Sequence, residues 1–512
     1  MVVNSITTSK RLISNTFFNV VTLTSNAIIG FFMIRFFLGQ LGEVQYGIWV
    51  LICSIFGYRS FLNMGLNSSI NRYIPVYLAT NNNEGIQRVI STSLFFFSIL
   101  AFLLVLISFI IYHNIGSWFA IRPDLVDTAG TLVLIVGCCF SISMPLQISS
   151  AVLSGFQRYD MENLATLITL LIRTVLLIVL MLRGHGLIMM GLIFGLSEIV
   201  VRVLQLAFVK QLIEYNLFSF KNIDLKLLRK MLIYGINTFL YAMGALILLK
   251  ASDLVIGIYL GTAEISQFAI AMAGIMLLSQ LLEAFTAAIK PAISDLDTRK
   301  DQVRIREISF LTQKYSLLLL IPAGCFLVVM GKDFIWIWVG DKFQDPARIS
   351  TMGSVLAILT VGHCIRLAHY SNFLVLVGRG DHRVFGIFTA LTALFCVSAS
   401  VVSVKVFNWG LIGIAWSNFL PMALVSGIIL PIYFNWRMHI SASENVRRVW
   451  WPSVLGTLPT IIMICIWKYF YPPENWRNIL MVILTAIMLT ALSSWLFCIS
   501  KLEQKRLVRF FA

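Results

Sequence analysis

Leu41-Gly42-Glu43-Val44-Gln45-Tyr46 is echoed further on by Leu260-Gly261-Thr262-Ala263-Glu264-Ile265-Ser266-Gln267-Phe268, and each copy stands just before a long apolar run. Other landmarks recur at nearly one spacing. Gly186-Leu187-Ile188 opens an apolar run as Gly410-Leu411-Ile412 opens another, and Gly155 follows a run as Gly378 does, in both cases about 223 residues apart. Several matches at one offset, each at the same place in a unit of six runs, are the mark of an internal repeat. The runs of the first unit lie near residues 12–34, 45–66, 88–112, 128–152, 161–182 and 186–208. Those of the second lie near 231–251, 264–289, 311–331, 350–377, 384–405 and 409–434, and two more follow near 450–470 and 477–499. Most have the length of roughly 20 residues that a helix needs to cross a bilayer.

Composition agrees. Of 512 residues 59% are hydrophobic and 12% charged, and mean hydropathy is +0.87. That apolar content furnishes on the order of 14 spans with little left over. A soluble enzyme is excluded. So is a membrane-anchored enzyme with a large aqueous domain, because no polar interval exceeds roughly 25 residues. The fold class expected is an all-α polytopic membrane protein with about 14 transmembrane helices, arranged as two six-helix parallel-repeat lobes plus two C-terminal helices. The lobes would be residues 1–210 and 231–436, joined by a cytoplasmic linker at 211–230, with the two extra spans and a tail in 437–512. Six spans per unit is an even number, so both copies face the same way and the ligand path is expected between the halves. Pro145, Pro322, Pro421 and Pro459 fall inside runs, where they kink helices that a membrane nonetheless tolerates.

Lys and Arg number 39 against 23 Asp and Glu, a net charge of +16. The connectors alternate: Lys210, Lys221, Lys226, Arg229 and Lys230 lie between spans 6 and 7, and Arg299, Lys300, Arg304 and Arg306 between spans 8 and 9. About 25 basic residues fall on that side and about 10 on the other, which places both termini in the cytoplasm. The eight cysteines lie almost wholly within apolar runs, with no CxxC and no Cys/His spacing suited to a metal, and act as small core residues. Neither a Walker A motif nor HExxH occurs, and no long external loop is available to hold catalytic residues. No catalytic residue, cofactor, metal or nucleic-acid partner is expected. The chemistry left is that of a carrier driven by an ion gradient, a membrane potential or downhill flow of its cargo.

Ionisable side chains in mid-membrane cost at least about 2.5–3.5 kcal/mol each, so each needs a partner, a cavity or a task. They are few: Arg59 in span 2, Arg173 in span 5, Glu198 and Arg202 in span 6, Glu283 in span 8, and His363 with Arg366 in span 10. The first half holds three arginines against one glutamate. Glu198 and Arg202, four apart, read as a self-neutralising pair on one helix face. Arg59 and Arg173 have no such local acid, and a water-filled cavity receiving an anionic group is the reading preferred over an interhelical pair with a distant acid. Guanidinium groups bind phosphate oxygens bidentately, so Arg59, Arg173, Arg202 and Arg366 are the substrate-binding candidates. Glu198, Glu283, His363 and Asp253 are the candidates for ion coupling, each with a packing explanation beside it. Lys250 and Asp253, three apart near the outer end of span 7, read first as an exposed pair. His363, Arg366 and His369 spread over roughly 120° of helix, too wide for a compact metal site.

The N-terminal third then carries a resemblance. Arg11-Leu12-Ile13-Ser14-Asn15, the stretch from Leu38-Gly39 to Tyr46-Gly47-Ile48-Trp49, Gly57-Tyr58, and Asn63-Met64-Gly65-Leu66 followed by Arg72-Tyr73 resemble the opening of bacterial polysaccharide-biosynthesis flippases, the Wzx-type proteins of the MOP superfamily. The resemblance covers span count and repeat layout over the whole chain, while its residue pattern is concentrated in spans 1–3. It implies two six-helix lobes forming a V and a cationic cavity between them. It also implies alternating access that moves a polyprenyl-pyrophosphate-linked oligosaccharide across a bacterial cytoplasmic (inner) membrane. Partners implied are that lipid-linked oligosaccharide, the bilayer, and the polysaccharide polymerase and export machinery. Arg59 is the one residue carried over from the resemblance; Arg173, Arg202 and Arg366 rest on their depth in the sequence.

Physics fits the cargo independently: a sugar-bearing pyrophosphate must leave water, and basic side chains replace its solvation while the prenyl tail stays in lipid. Asn237, Gln280 and Tyr241 are candidates to face the sugars. Three rivals stand beside this reading. A MATE-type multidrug exporter shares the layout but relies on acidic residues to bind organic cations, and spans 1 and 2 contain no Asp or Glu. A lipid II flippase of the MurJ type differs in cargo rather than mechanism. A membrane glycosyltransferase or polymerase would need the large external loop that is missing.

Overall fold

The structure is a computed structural model that describes residues 5–213, 219–286, 289–343, 345–380, 383–499 and 503. Among them thirteen helices are long and apolar enough to cross a membrane. The first of these is two helices in one. At 53 residues, α1 (Ser5–Gly57) would be about 80 Å long, far more than a bilayer's hydrocarbon needs. It breaks at Gly42, whose φ of 75° lies in the left-handed region that glycine enters without a Cβ penalty. Spans 1 and 2 therefore meet at a single residue, and the crossing segments come to the fourteen read from hydropathy. The echoed motif does the same work in the second copy: Gly261, at φ 141°, separates span 7 from span 8.

Short helices punctuate the rest at equivalent places. After α2 (Arg59–Leu62) comes α3 (Leu66–Ala79), then the long α4 (Asn83–Trp118). Span 4 breaks at Gln147 into α5 (Val126–Leu146) and α6 (Ile148–Gly155), followed by α7 (Tyr159–Leu182) and α8 (Leu187–Leu212). Next are α9 (Leu225–Tyr259), α10 (Thr262–Thr286), the short α11 (Ile289–Thr298) and the long α12 (Gln302–Val339). Span 10 breaks at His369, as span 4 does at Gln147, into α13 (Pro346–Ala368) and α14 (Tyr370–Gly378). The chain continues through α15 (Arg383–Lys405), α16 (Gly410–Leu424), α17 (Leu430–Arg437), α18 (Ala442–Asn445), α19 (Trp451–Phe470) and α20 (Trp476–Phe497). Pro421 near the end of α16 lacks the N–H that its turn requires, and a π-helical turn at Val425–Ile429 follows it.

Starts of helices are fixed by short polar side chains. Asn82 accepts from Gly85 N at 2.7 Å ahead of α4, and Asp224 accepts from Lys226 N and Leu227 N ahead of α9. Asp345 caps α13, whose first residue is Pro346, the position where a missing N–H costs nothing.

Two compact units divide the chain, Met1–Ser266 and Gln267–Ala512. In the first, α9 lies against span 2 and α3. Small residues let the backbones close: a Cβ on Gly65 would stand 2.3 Å from the Gly235 carbonyl oxygen, and one on Gly47 would stand 1.6 Å from that of Thr262. In the second, α12, α19 and α20 share an apolar core of Met330, Ile464 and Val482, and Lys468 pairs with Asp333. Outward surfaces remain apolar, as lipid-facing helices require: Phe102, Leu182, Phe395, Ile432 and Met488 are all more than half exposed.

Candidate functional site

In the first unit the intramembrane charges gather from four helices, α2, α7, α8 and α9. Arg59 starts α2, where span 2 breaks after Gly57, and its Nη2 lies 3.4 Å from Glu198 Oε2 on α8. Its guanidinium also sits 3.8 Å above the ring of Phe140 on α5. Arg173 of α7 lies 4.5 Å from the ring of Phe194 and within electrostatic reach of Glu198, yet has no hydrogen bond or ion pair among the described residues. Arg202 donates to Gln205 Oε1 at 2.9 Å and repels Arg59. Glu198 therefore does not pair with Arg202, one turn on along its own helix; it bridges across to Arg59. Glu198 thus answers to Arg59 and Arg173 while Arg202 turns to Gln205, and the guanidinium groups of Arg59 and Arg173 rest on aromatic faces, which hold cations without neutralising them.

A second group adjoins the first. Asp253 of α9 is buried, with 5% of its surface exposed, and accepts from Ser54 Oγ of span 2 at 2.6 Å. Lys250 Nζ stands 3.9 Å from the same carboxylate oxygen, Oδ2. The exposed pair expected at the end of span 7 is instead a carboxylate packed against span 2, because Ser54 faces α9 and covers it. Cys53, one residue away, feels Lys250, Arg59, Arg173 and Asp253 together, so the two groups share one stretch of span 2. Lys250 is the member that the sequence placed in an exposed pair rather than among the site candidates. Its signal was present, a lysine inside an apolar helix, but its proximity to Asp253 made it look self-satisfied.

In the second unit Arg366 of α13 is in electrostatic contact with Glu283 of α10, and its Nε is buried without a hydrogen-bond partner among the described residues. His363 is 2% exposed, close to Arg366, and its Nδ1 likewise lacks a partner there. His369, at the break of span 10, belongs to a different set: its Nδ1 is 3.3 Å from both Gln313 Nε2 and Asn372 Nδ2. The Gln280 Oε1 is buried and without a partner among the described residues. The side chains of Asn237 and Tyr241 lie outside the described residues. No group of three or more His, Cys, Asp or Glu stands together as metal ligands among the described residues.

The fold is that of MOP-superfamily transporters. A lipid II flippase, MurJ, in an inward closed conformation matches with TM-score 0.72 and 16% identity, covering 93% of this chain and 98% of its own. An inward-facing multidrug-resistance MATE transporter matches with TM-score 0.67 and 16% identity, over 82% and 94%. A MOP-superfamily transporter from Pyrococcus furiosus, described as having a binding pocket of reverse polarity, matches at 0.61 and 15%, over 84% and 96%. No curated protein matches the chain in sequence. The polysaccharide biosynthesis protein family matches residues 41–348, more than half of the length, and the chain belongs to that family. Its helices are long and apolar enough for a multi-pass membrane protein, and its fold is shared with the solved MOP-superfamily transporters above.

Proposed function

We propose that the chain carries a polyprenyl-pyrophosphate-linked oligosaccharide across a bacterial cytoplasmic membrane by alternating access, with both termini cytoplasmic. In this reading residues 1–210 and 231–436 are the two repeat lobes, and residues 437–512 add spans 13 and 14. The observation that supports it most is the excess of guanidinium in one unit, where Glu198 faces Arg59 and Arg173 and Arg202 stands close enough to repel Arg59. Such an excess of guanidinium binds phosphate oxygens and repels the organic cations that a multidrug exporter would take. Ion coupling is assigned to Glu198, Asp253, Glu283 or His363, and Arg366 serves the cargo from the second unit. The translocated cargo is then taken up by the polysaccharide polymerase and export machinery.

The test is native mass spectrometry of the protein extracted in mild detergent from its own cells, with and without Arg59→Ala. A co-purifying polyprenyl-pyrophosphate glycan that disappears in the variant supports the reading, and its mass separates longer oligosaccharides from lipid II. Organic cations bound in place of any such lipid overturn it.

A further inference from the structure

The arginine cluster alone leaves Lys250 unexplained. Its side chain is 28% exposed, and at 3.9 Å from Asp253 the ammonium lies beyond hydrogen-bond distance. Asp253 has a better partner in Ser54, at 2.6 Å to the same oxygen. The lysine stem passes beside span 2, its Cγ 3.9 Å from where a Cβ on Gly57 would be. Gly57 is one turn from Cys53, which feels Lys250, Arg59 and Arg173 together. Cations from three helices thus lie within electrostatic reach of one residue of span 2, and the ammonium among them makes no hydrogen bond among the described residues.

Charge counting gives this arrangement a meaning. Arg59, Arg173, Arg202 and Lys250 against Glu198 and Asp253 leave a net of two positive charges. A diphosphate esterified at both ends carries roughly two negative charges at neutral pH, whereas a monophosphate diester carries about one. We infer that Lys250 is the fourth cation of the cargo site and selects a diphosphate over a monophosphate, with Asp253 as the internal counter-anion whose hold on it the cargo replaces. This rests on the flippase reading above. Ser54 has a part in it: by holding Asp253 when Lys250 turns to the phosphate, it keeps the buried carboxylate from being left without a partner.

The experiment uses the full chain in lipid nanodiscs, with two diesters as probes, geranylgeranyl-diphosphoryl glucose carrying roughly two negative charges and geranylgeranyl-phosphoryl glucose carrying about one. Lys250→Met keeps the stem and removes the charge; it is expected to weaken diphosphate binding about tenfold and monophosphate binding much less, so that the preference narrows. Asp253→Asn keeps an oxygen for Ser54 and removes the competing charge, so it is expected to tighten diphosphate binding several-fold. Arg122→Met, which breaks an exposed pair with Asp124, serves as the control and leaves both affinities unchanged. Wild-type affinity and preference in Lys250→Met, or no gain in Asp253→Asn, overturns the inference while Arg59→Ala still abolishes binding. Failure of the folded wild-type protein to bind either probe removes the flippase reading itself.

Discussion

Gly47→Ala and Gly30→Ala make the same chemical change on opposite sides of the break at Gly42, and the structure assigns them opposite consequences. A Cβ at position 47 would lie 1.6 Å from the Thr262 carbonyl oxygen and 2.5 Å from its carbon, both backbone atoms at the start of α10. No rotamer change relieves a clash with backbone, so the two segments must part by roughly 1.5 Å or more. Overpacking of this kind costs about 1–3 kcal/mol, and the upper end applies where nothing flexible can give. At position 30 nothing stands within 4 Å of the new Cβ. There the substitution gains the helix preference of alanine over glycine, about 0.5–1 kcal/mol. With about 2–4 °C of melting temperature per kcal/mol for a unit of this size, Gly47→Ala should lower Tm by about 6–12 °C and Gly30→Ala raise it by about 1–4 °C. Differential scanning fluorimetry in one detergent, read on tryptophan, measures both. Equal Tm values for the two variants would refute the close approach of span 2 to the start of α10.

Ser54→Ala leaves the buried Asp253 carboxylate without its 2.6 Å donor and should destabilise by about 1.5–3 kcal/mol, seen in the same melts. Arg448 makes two bonds to Glu307, at 2.7 and 2.9 Å, but is 40% exposed, so solvent screening holds the effect of Arg448→Ala to less than about 1 kcal/mol despite the better geometry. Arg59→Lys preserves charge and loses the planar fork over Phe140; export of surface polysaccharide should fall at least about tenfold with normal membrane insertion, and full export would count against phosphate recognition by Arg59.

Hydropathy and spacing alone located every crossing segment to within several residues, because a lipid-facing helix must be apolar along its whole length and the turns between helices must not be. The echoed glycines were legible for a similar reason: a sharp join demands a residue that tolerates positive φ, so Gly42 and Gly261 mark the joins wherever they fall. Side-chain partnership was not. Glu198 and Arg202 are neighbours in sequence, yet the rotation of α8 turns the carboxylate toward Arg59, and no one-dimensional pattern records how a helix is rotated against its neighbour. Asp253 shows the same limit from the other side, since its burial depends on Ser54, which sits 199 positions earlier in the chain.

The join at Gly42 also sets a helical phase. Because spans 1 and 2 meet through one non-helical residue with no slack on either side, every side chain of span 2 points where the count of residues before it dictates. Inserting a single residue after Gly42 would turn the downstream helix by about 100° and advance it by about 1.5 Å, swinging Arg59 away from Glu198 and Ser54 away from Asp253 at one stroke. Inserting seven would restore the direction to within roughly 20° and lengthen the segment by about two turns. The cationic face is thus written as much in the number of residues separating it from Gly42 as in the identity of the arginines themselves.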